Sequence, residues 1–223
     1  MNQHVIFGAG SIARLANFFV NENGNYKIDA FVVDDDFFEY SKSPDLNIQL
    51  LKFSDFCKKF SPSSTKVFIS VGYKLMRSRA LIFDRFVKKG YSSFNVKSKN
   101  AYISKNTKLG LNNIFFPNVV VEPDVNIGNN NIFWSNTTIC HDSTIGHHNF
   151  FASNTTIGGN VKINNLNFFG FSSTVIQNLK IKDENLIASS SLVLKDIKSF
   201  NHMQGQPALP VDYVSKDHGV SIP

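Results

Sequence analysis

From Ile103 onward, every sixth residue is apolar. The positions are Ile103, Leu109, Phe115, Val121, Ile127, Phe133, Ile139, Ile145, Phe151, Ile157, Ile163, Phe169, Val175, Ile181, Ile187 and Val193. Sixteen hexapeptides follow one another without an insertion. A short unit with one apolar position per repeat cannot bury that position alone, so units must stack, which predicts a β-solenoid. Steps of eighteen residues sort the column by size. Phe115, Phe133, Phe151 and Phe169 fall together, as do Ile127, Ile145, Ile163 and Ile181. Like over like at this interval predicts a three-sided coil of eighteen residues, repeated about five times. Asn113, Asn131, Asn149, Asn167 and Asn185 recur at one phase. Stacked amides at a corner can bond along the axis as Asn ladders do in stacked strands. A β-sandwich would need turns of variable length instead.

The residues before the repeat follow a different rhythm. An apolar strand over His4–Phe7 runs into Gly8-Ala9-Gly10-Ser11-Ile12, and a helical spacing follows through Leu15, Phe18 and Phe19. A second strand over Ile28–Val33 ends at Asp34-Asp35-Asp36. Strand, glycine turn, helix, strand and acid make the opening of a nucleotide-binding α/β unit. Gly8 and Gly10 let the backbone approach a phosphate, and the helix N-terminus offers free N–H groups to it. Asp34 and Asp35 can accept hydrogen bonds from a ribose or base. A third strand over Lys66–Val71, the Gly72-Tyr73 turn, a helix near Leu75–Lys89 and a strand over Ser92–Val96 complete about half of a dinucleotide fold. That size suits a mononucleotide or a nucleoside diphosphate sugar better than NAD. Phe37–Ser64 reads as loop with one or two helical turns over Asp55–Phe60, and no chemistry is expected there. The expected organisation is residues 1–98 as the α/β domain, 99–200 as the prism and 201–223 as a C-terminal tail.

Composition narrows the setting. The 223-residue chain has a net charge of +6, 42% hydrophobic residues and two cysteines. A positive balance suits an anionic ligand such as a nucleotide or coenzyme A. No stretch combines clustered Lys and Arg with stacking aromatics, so no nucleic acid is expected. Cys57 and Cys140 fit a reducing compartment better than a disulfide framework. No apolar run approaches the roughly 20 residues of a membrane span, and the N-terminus does not read as a signal peptide. A cytoplasmic protein without membrane insertion is expected.

On the prism, His141 stands two residues after Ile139 and is expected to point outward, with Pro123 and Gly159 one coil away. A histidine in open space is a candidate general base, because its ordinary pKa lies near neutral pH. Asp142 is adjacent and can orient it. Cys140 and His141, as neighbours on a strand, should face opposite ways, which argues against a Cys140 nucleophile. His147 and His148 should diverge likewise, so no metal site is expected. Ile114, Ile132, Phe150, Phe168 and Leu186 form an outward apolar column that could line a subunit interface or a pantetheine groove.

The hexapeptide pattern resembles the hexapeptide-repeat acyltransferases, whose prism is a left-handed parallel β-helix. The hand comes from that resemblance, since general crossover rules favour the right hand. Trp134-Ser135-Asn136-Thr137-Thr138-Ile139-Cys140-His141-Asp142-Ser143-Thr144-Ile145-Gly146 resembles the active-site coil of sugar acyltransferases of the sialic acid O-acetyltransferase type. That group includes the bacillosamine-pathway N-acetyltransferase acting on nucleotide-linked amino sugars. The Gly-rich turn, the Asp pair, the Val-Gly turn, the uninterrupted prism and Gly205-Gln206-Pro207-Ala208 extend the likeness over nearly the whole chain. The resemblance implies an α/β Rossmann-like half domain followed by an all-β left-handed helix. It further implies a homotrimer with active sites between subunits, and transfer of acetyl from acetyl-CoA to the amine of a nucleotide-linked sugar. That sugar would be a 4-amino-4,6-dideoxy sugar destined for a surface glycan.

On the same ground His141 would be the base, and Asp142 would stand where the family enzyme has a glutamate. Gly10, Ser11 and Ile12 would hold the phosphates, Asp34 and Asp35 would lie near the nucleoside, and Gly72 would offer a backbone contact. Phe150, Gly170, Phe171, Ser189, Gly205 and Pro207 would lie along the acetyl-CoA groove, and no metal is implied. The chain departs from the family at Gly10-Ser11-Ile12, where Ser-Gly-His is usual. It departs again at Phe150, which replaces a second histidine, and at Ser189, which replaces a glycine. The alternatives are O-acetylation of a sugar or sialic acid, and a scaffold that binds a nucleotide sugar without turnover.

Overall fold

The computed structural model describes residues 3–222. These divide into two compact units, 3–72 with 79–99, and 73–78 with 100–222.

The first unit is a parallel five-stranded sheet in the order β3-β2-β1-β4-β5. Its strands are β1 (Gln3–Phe7), β2 (Ala30–Val33), β3 (Leu50–Lys52), β4 (Thr65–Ile69) and β5 (Ser92–Ser93). α1 (Ser11–Asn23) forms because Ile12, Ala13, Ala16, Phe19 and Val20 recur at helical spacing and are buried. It stops at Gly24, whose φ of 68° lets its N–H bond back to Val20 O at 3.1 Å. α2 (Phe53–Lys59) and α3 (Met76–Lys88) complete the set. The segment expected to be mostly loop supplies β3, and the helical turns expected over Asp55–Phe60 are α2. β3 is only three residues long and none of its side chains is fully buried, so its apolar signal is weak. The last strand expected before the repeat is split in two, Ser92–Ser93 and Val96–Lys97.

Strand order reverses between β1 and β4, which run side by side in parallel with Phe7 opposite Ile69. The turns after these two strands, Gly8–Gly10 and Ser70–Gly72, thus leave the same edge of the sheet, where open α/β sheets place their ligands. Gly8 has φ 118°, and a Cβ there would collide with Ser70 Oγ, which donates to Phe7 O at 2.8 Å. Glycine is what lets these two turns meet.

The second unit is the prism, a left-handed parallel β-helix. Two-residue strands stack in register eighteen residues apart on three faces. Face 1 carries Thr138–Ile139 above Val120–Val121 and below Thr156–Ile157. Face 2 carries Thr144–Ile145 between Asn126–Ile127 and Lys162–Ile163. Face 3 carries Phe150–Phe151 between Ile132–Phe133 and Phe168–Phe169. The inner phenylalanines stack with ring centroids 4.9, 4.9 and 4.8 Å apart from Phe115 to Phe169, nearly parallel. Each ring sits on its own copy, so one size per column packs like against like along the axis.

The asparagine column is a continuous ladder. Asn131 donates its N–H to Asn113 Oδ1 at 2.9 Å, Asn149 to Asn131 at 2.8 Å, Asn167 to Asn149 at 2.9 Å and Asn185 to Asn167 at 2.9 Å. All five are fully buried. A second periodicity marks the corners. Asn112, Asn118, Asp124, Asn130, Asn136, Asp142 and their successors to Ser190 have φ near +60° at every sixth residue. Asn and Asp adopt this left-handed conformation more readily than other residues with a Cβ, which explains why they crowd these positions.

The outer apolar column does not lie open. Ile114, Ile132, Phe150 and Phe168 are at most 8% exposed. Tyr73 covers two of them, its ring 4.3 Å from Phe150 and 5.9 Å from Phe168. The residues after Val211 are not a loose tail either. Leu209–Tyr213 pairs antiparallel with Asn201–Gln204, and the chain end then binds residues 74–77. Met76 N–H donates to Val220 O at 3.2 Å and Ile222 N–H to Lys74 O at 3.0 Å. Arg77 holds Glu184 through two bonds of 2.7 and 3.0 Å and reaches Lys216 O and Asp217 O at 2.9 Å each. The C-terminus thereby clamps residues 73–77 onto the prism.

Candidate functional site

His141 occupies the corner between faces 1 and 2. Its side chain is 62% exposed. The corner residue after it, Asp142, has φ 60° and brings Oδ2 to 2.8 Å from His141 Nδ1. A carboxylate at neutral pH only accepts, so Nδ1 carries the proton and Nε2 is left as the basic nitrogen. The ring lies against Gly159 of the next coil, where a Cβ would stand 2.9 Å from Cε1 and 3.1 Å from Nε2. Glycine at 159 is what leaves room for the imidazole.

Beside the ring is a pocket of about 470 Å³ walled by Glu122, Cys140, His141, Gly158 and Gly159. Asn160, Gln177 and Asn178 extend its polar rim. Glu122 was not among the residues expected from the sequence. Its Oε2 accepts the backbone N–H of His141 at 2.8 Å. The hydrogen bond to Asp142 raises the His141 pKa above the ordinary 6.5; desolvation opposes it, and the charges of Asp142 and Glu122 add to the rise. The group is a stronger base than a free imidazole and remains open to solvent.

Cys140 lines the same pocket, which corrects the expectation that it faces away from His141. The strand ends at Ile139, and residues 140 and 141 already belong to the corner, where strand alternation no longer holds. Its chemistry still opposes a nucleophilic role. Burial first, then the charge and hydrogen bond of Glu122, raise its thiol pKa, so the reactive thiolate is disfavoured.

The expected coenzyme positions fall at a different edge. Gly170, Phe171 and Ser189 lie at the corner between faces 3 and 1. A Cβ on Gly170 would meet Ser189 N at 2.5 Å, so glycine is needed there for coil stacking alone. Phe171 is 60% exposed. Gly205–Pro207 arrive at the same corner. Gly205 O accepts from Leu192 N at 3.0 Å, and Gln206 Nε2 donates to Ser190 O at 2.7 Å. The structure therefore brings Gly170, Phe171, Ser189, Gly205 and Pro207 together, across face 1 from His141. It does not bring Phe150 to them, since Phe150 lies on face 3 beneath Tyr73.

In the α/β unit, Gly8, Gly10, Ser11 and Gly72 gather at the edge where β1 and β4 end. Gly10 is the N-cap of α1 and gives no side-chain cap, so the first N–H groups of the helix keep their capacity for an anion. Ile12 is only 5% exposed and can offer no more than its backbone. Asp34, Asp35 and Asp36 share a cleft with Phe37, Phe53, Ser54 and Arg85. Asp34 is paired with Arg85 Nη1 at 2.7 Å. Asp35 accepts Ser54 N–H at 2.9 Å, and hydrogen bonds from Ser54 hold its pKa below the usual value. Asp34 and Asp35 are thus already partnered, and three residues of the cleft, Phe37, Phe53 and Ser54, come from the segment expected to carry no chemistry.

His147 and His148 are part of the corner scaffold. His147 Nδ1 accepts Asn129 N–H at 2.9 Å, and His148 Nδ1 accepts from Asn130 Nδ2 at 2.9 Å. Among the described residues, no three His, Cys, Asp or Glu side chains are grouped to hold a metal ion. No helix among them is long and apolar enough to cross a membrane.

No protein-family model and no curated protein sequence matches the chain. Solved structures do. The acetyltransferase domain of PglB from Neisseria gonorrhoeae FA1090 superposes with a TM-score of 0.82 at 16% identity, over 95% of this chain and all of that one. A histidine-to-asparagine variant of perosamine N-acetyltransferase from Caulobacter crescentus, in complex with CoA and GDP-perosamine, gives 0.83 at 17% identity over 95% and 98%. WeeI from Acinetobacter baumannii AYE gives 0.82 at 19% over 95% and 100%. At such identities the likeness establishes architecture, and it runs through both units. The chain has the fold of the hexapeptide-repeat sugar N-acetyltransferases.

Proposed function

We propose that this protein transfers acetyl from acetyl-CoA to the amine of a nucleotide-linked amino-deoxy sugar, with His141 as general base. The observation that carries the reading is the His141 corner: an exposed imidazole, protonated on Nδ1 by its bond to Asp142, with Nε2 free beside a pocket. Nε2 takes a proton from the acceptor nitrogen as that nitrogen attacks the thioester carbonyl. The tetrahedral intermediate then expels the coenzyme A thiolate, which leaves as the thiol. Backbone N–H groups along a coil stabilise the oxyanion. No acyl-enzyme forms, in keeping with the raised thiol pKa of Cys140.

Gly8, Gly10 and the N-terminus of α1 hold the diphosphate, and Gly72 offers a backbone contact. Asp34 and Asp35 lie near the nucleoside, oriented by Arg85 and Ser54. Acetyl-CoA runs along the edge of Phe171, Ser189 and Gly205–Pro207. That edge and the His141 edge border face 1 on opposite sides. One prism cannot bring its own base to its own coenzyme edge, which supports a homotrimer in which the coenzyme edge of one subunit meets the His141 edge of the next.

The test is thiol release from acetyl-CoA with a panel of nucleotide-linked 4-amino and 3-amino sugars, alongside hydroxyl-only sugars and free sialic acid. Turnover on an amino sugar is expected. Turnover on hydroxyl acceptors alone would move the protein to O-acetylation. No turnover, with acetyl-CoA failing to shift the melting temperature, would reduce the prism to a scaffold.

A further inference from the structure

The pocket beside His141 carries more negative charge than a general base requires. Asp142 accounts for the orientation of the ring. Glu122 is a second carboxylate, one coil earlier, and it does not touch the imidazole. Its Oε2 takes the backbone N–H of His141 at 2.8 Å. An ionised carboxylate has about four acceptor positions, so this contact leaves capacity on the side that faces the pocket. Among the described residues that wall the pocket there is no lysine or arginine. Glu122 therefore gives the wall an acidic character that no lysine or arginine lining the pocket offsets.

Such a wall selects among acceptors. An aliphatic amine is mostly ammonium at neutral pH, an alcohol is neutral, and a sialic acid brings a carboxylate of its own. The first is attracted to Glu122, the second is indifferent to its charge, and the third is repelled. Resting on the transferase reading above, we propose that Glu122 binds the ammonium form of the acceptor and thereby makes this site selective for amino sugars over hydroxyl sugars. The ammonium donates one N–H to Glu122 and passes another proton to His141 Nε2, which releases it to solvent and leaves the neutral amine. Nε2, neutral again, then takes the second proton as the amine attacks and gives it to the departing thiolate.

The experiment is equilibrium binding by calorimetry on the full chain and on E122Q. The ligands are a 4-amino-4,6-dideoxy sugar on UDP, GDP and dTDP carriers, each paired with its 4-hydroxy counterpart. Glutamine keeps an oxygen for the His141 N–H and removes only the charge. Charge-assisted bonds differ from neutral ones by enough to give about a tenfold preference. The wild type is expected to bind the amino sugar about tenfold more tightly, and E122Q is expected to bind the two members of a pair alike by weakening the amino sugar alone. Equal affinities in the wild type, a preference that survives in E122Q, an equal loss for both sugars or no binding of any pair would each overturn the inference. Thiol release measured on the same samples separates the two claims. Selective binding without transfer would sink the transferase reading and leave the role of Glu122 standing, whereas transfer to an amino sugar with selectivity unchanged in E122Q would do the reverse.

Discussion

Two corners of the same prism are built from the same eighteen-residue coil and do opposite things. At the asparagine corner, Asn113 through Asn185 repeat one residue type, and each amide bonds to its copy in the next coil. All five are buried. At the His141 corner the column reads Pro123, His141, Gly159 and Gln177. The ring lies over a glycine, it is exposed, and its partners are Asp142 and the pocket rather than its equivalents in adjacent coils. Repetition satisfies the amides of this column and gives stability. Interruption of a column leaves a polar group free for chemistry.

Substitutions can test that division. The largest effect on folding is expected at the regular corner. Asn149→Ala removes a buried amide that accepts from Asn167 N–H and donates to Asn164 O at 2.9 Å. Orphaning those buried groups costs about 1–3 kcal/mol each, or roughly 2–4 °C of melting temperature per kcal/mol for a chain of this size. Thermal melting should show the drop, while the rate per folded molecule stays near that of the wild type. An unchanged melting temperature would mean that the ladder is ornamental.

At the interrupted corner the expectations reverse. Gly159→Ala places a methyl group against Cε1 and Nε2 of His141. The ring must shift, and a rate loss of about tenfold should follow from the displaced base, as small displacements of catalytic groups do. The melting temperature should move little, because the ring can swing into solvent. A smaller and more specific effect is expected from Asp142→Asn. His141 must be neutral to act as base, so activity should rise with pH through a midpoint above the ordinary histidine value of 6.5, because its pKa is raised. The largest upward cause is the Asp142 hydrogen bond, so the asparagine variant should move the midpoint to lower pH. A midpoint unaffected by this substitution would contradict the orientation argument.

The repeat was legible because a solenoid translates along its axis. Residues eighteen apart meet the same surroundings, so Phe115, Phe133, Phe151 and Phe169 reveal in sequence the stack they form in space. Asn149 and its fellows were readable for the same reason, and so was the space over Gly159. The left-handed corners also left a trace that the apolar columns overshadowed, the Asn and Asp residues at every sixth position from Asn112. That trace gives Asp142 a double reading, since a corner at φ 60° favours aspartate whether or not a histidine precedes it.

Other features carry no periodic signal. Glu122 reaches His141 because the corner of one coil overlies the next, a contact nineteen residues apart that no column of like residues announces. An acid one coil before a lone histidine was the available clue. Tyr73 over Phe150, and Arg77 over Glu184 with the C-terminal residues, depend on contacts at sequence separations of 77 to 140. The outer apolar column could be seen in the sequence, but what covers it could not. β3 was missed for a local reason, being three residues at a sheet edge with no fully buried side chain.

The most direct test of the central claim, that the interrupted corner is where acetyl transfer occurs, is His141→Ala assayed for thiol release on the amino-sugar acceptor, with melting temperature and sugar affinity measured on the same preparation. General-base removal predicts a rate loss of about 10²–10⁴-fold, with melting temperature unchanged and the sugar still bound. A variant that keeps most of its rate would contradict the assignment of His141. A variant that loses its rate only in step with its fold would contradict the separation of the two corners.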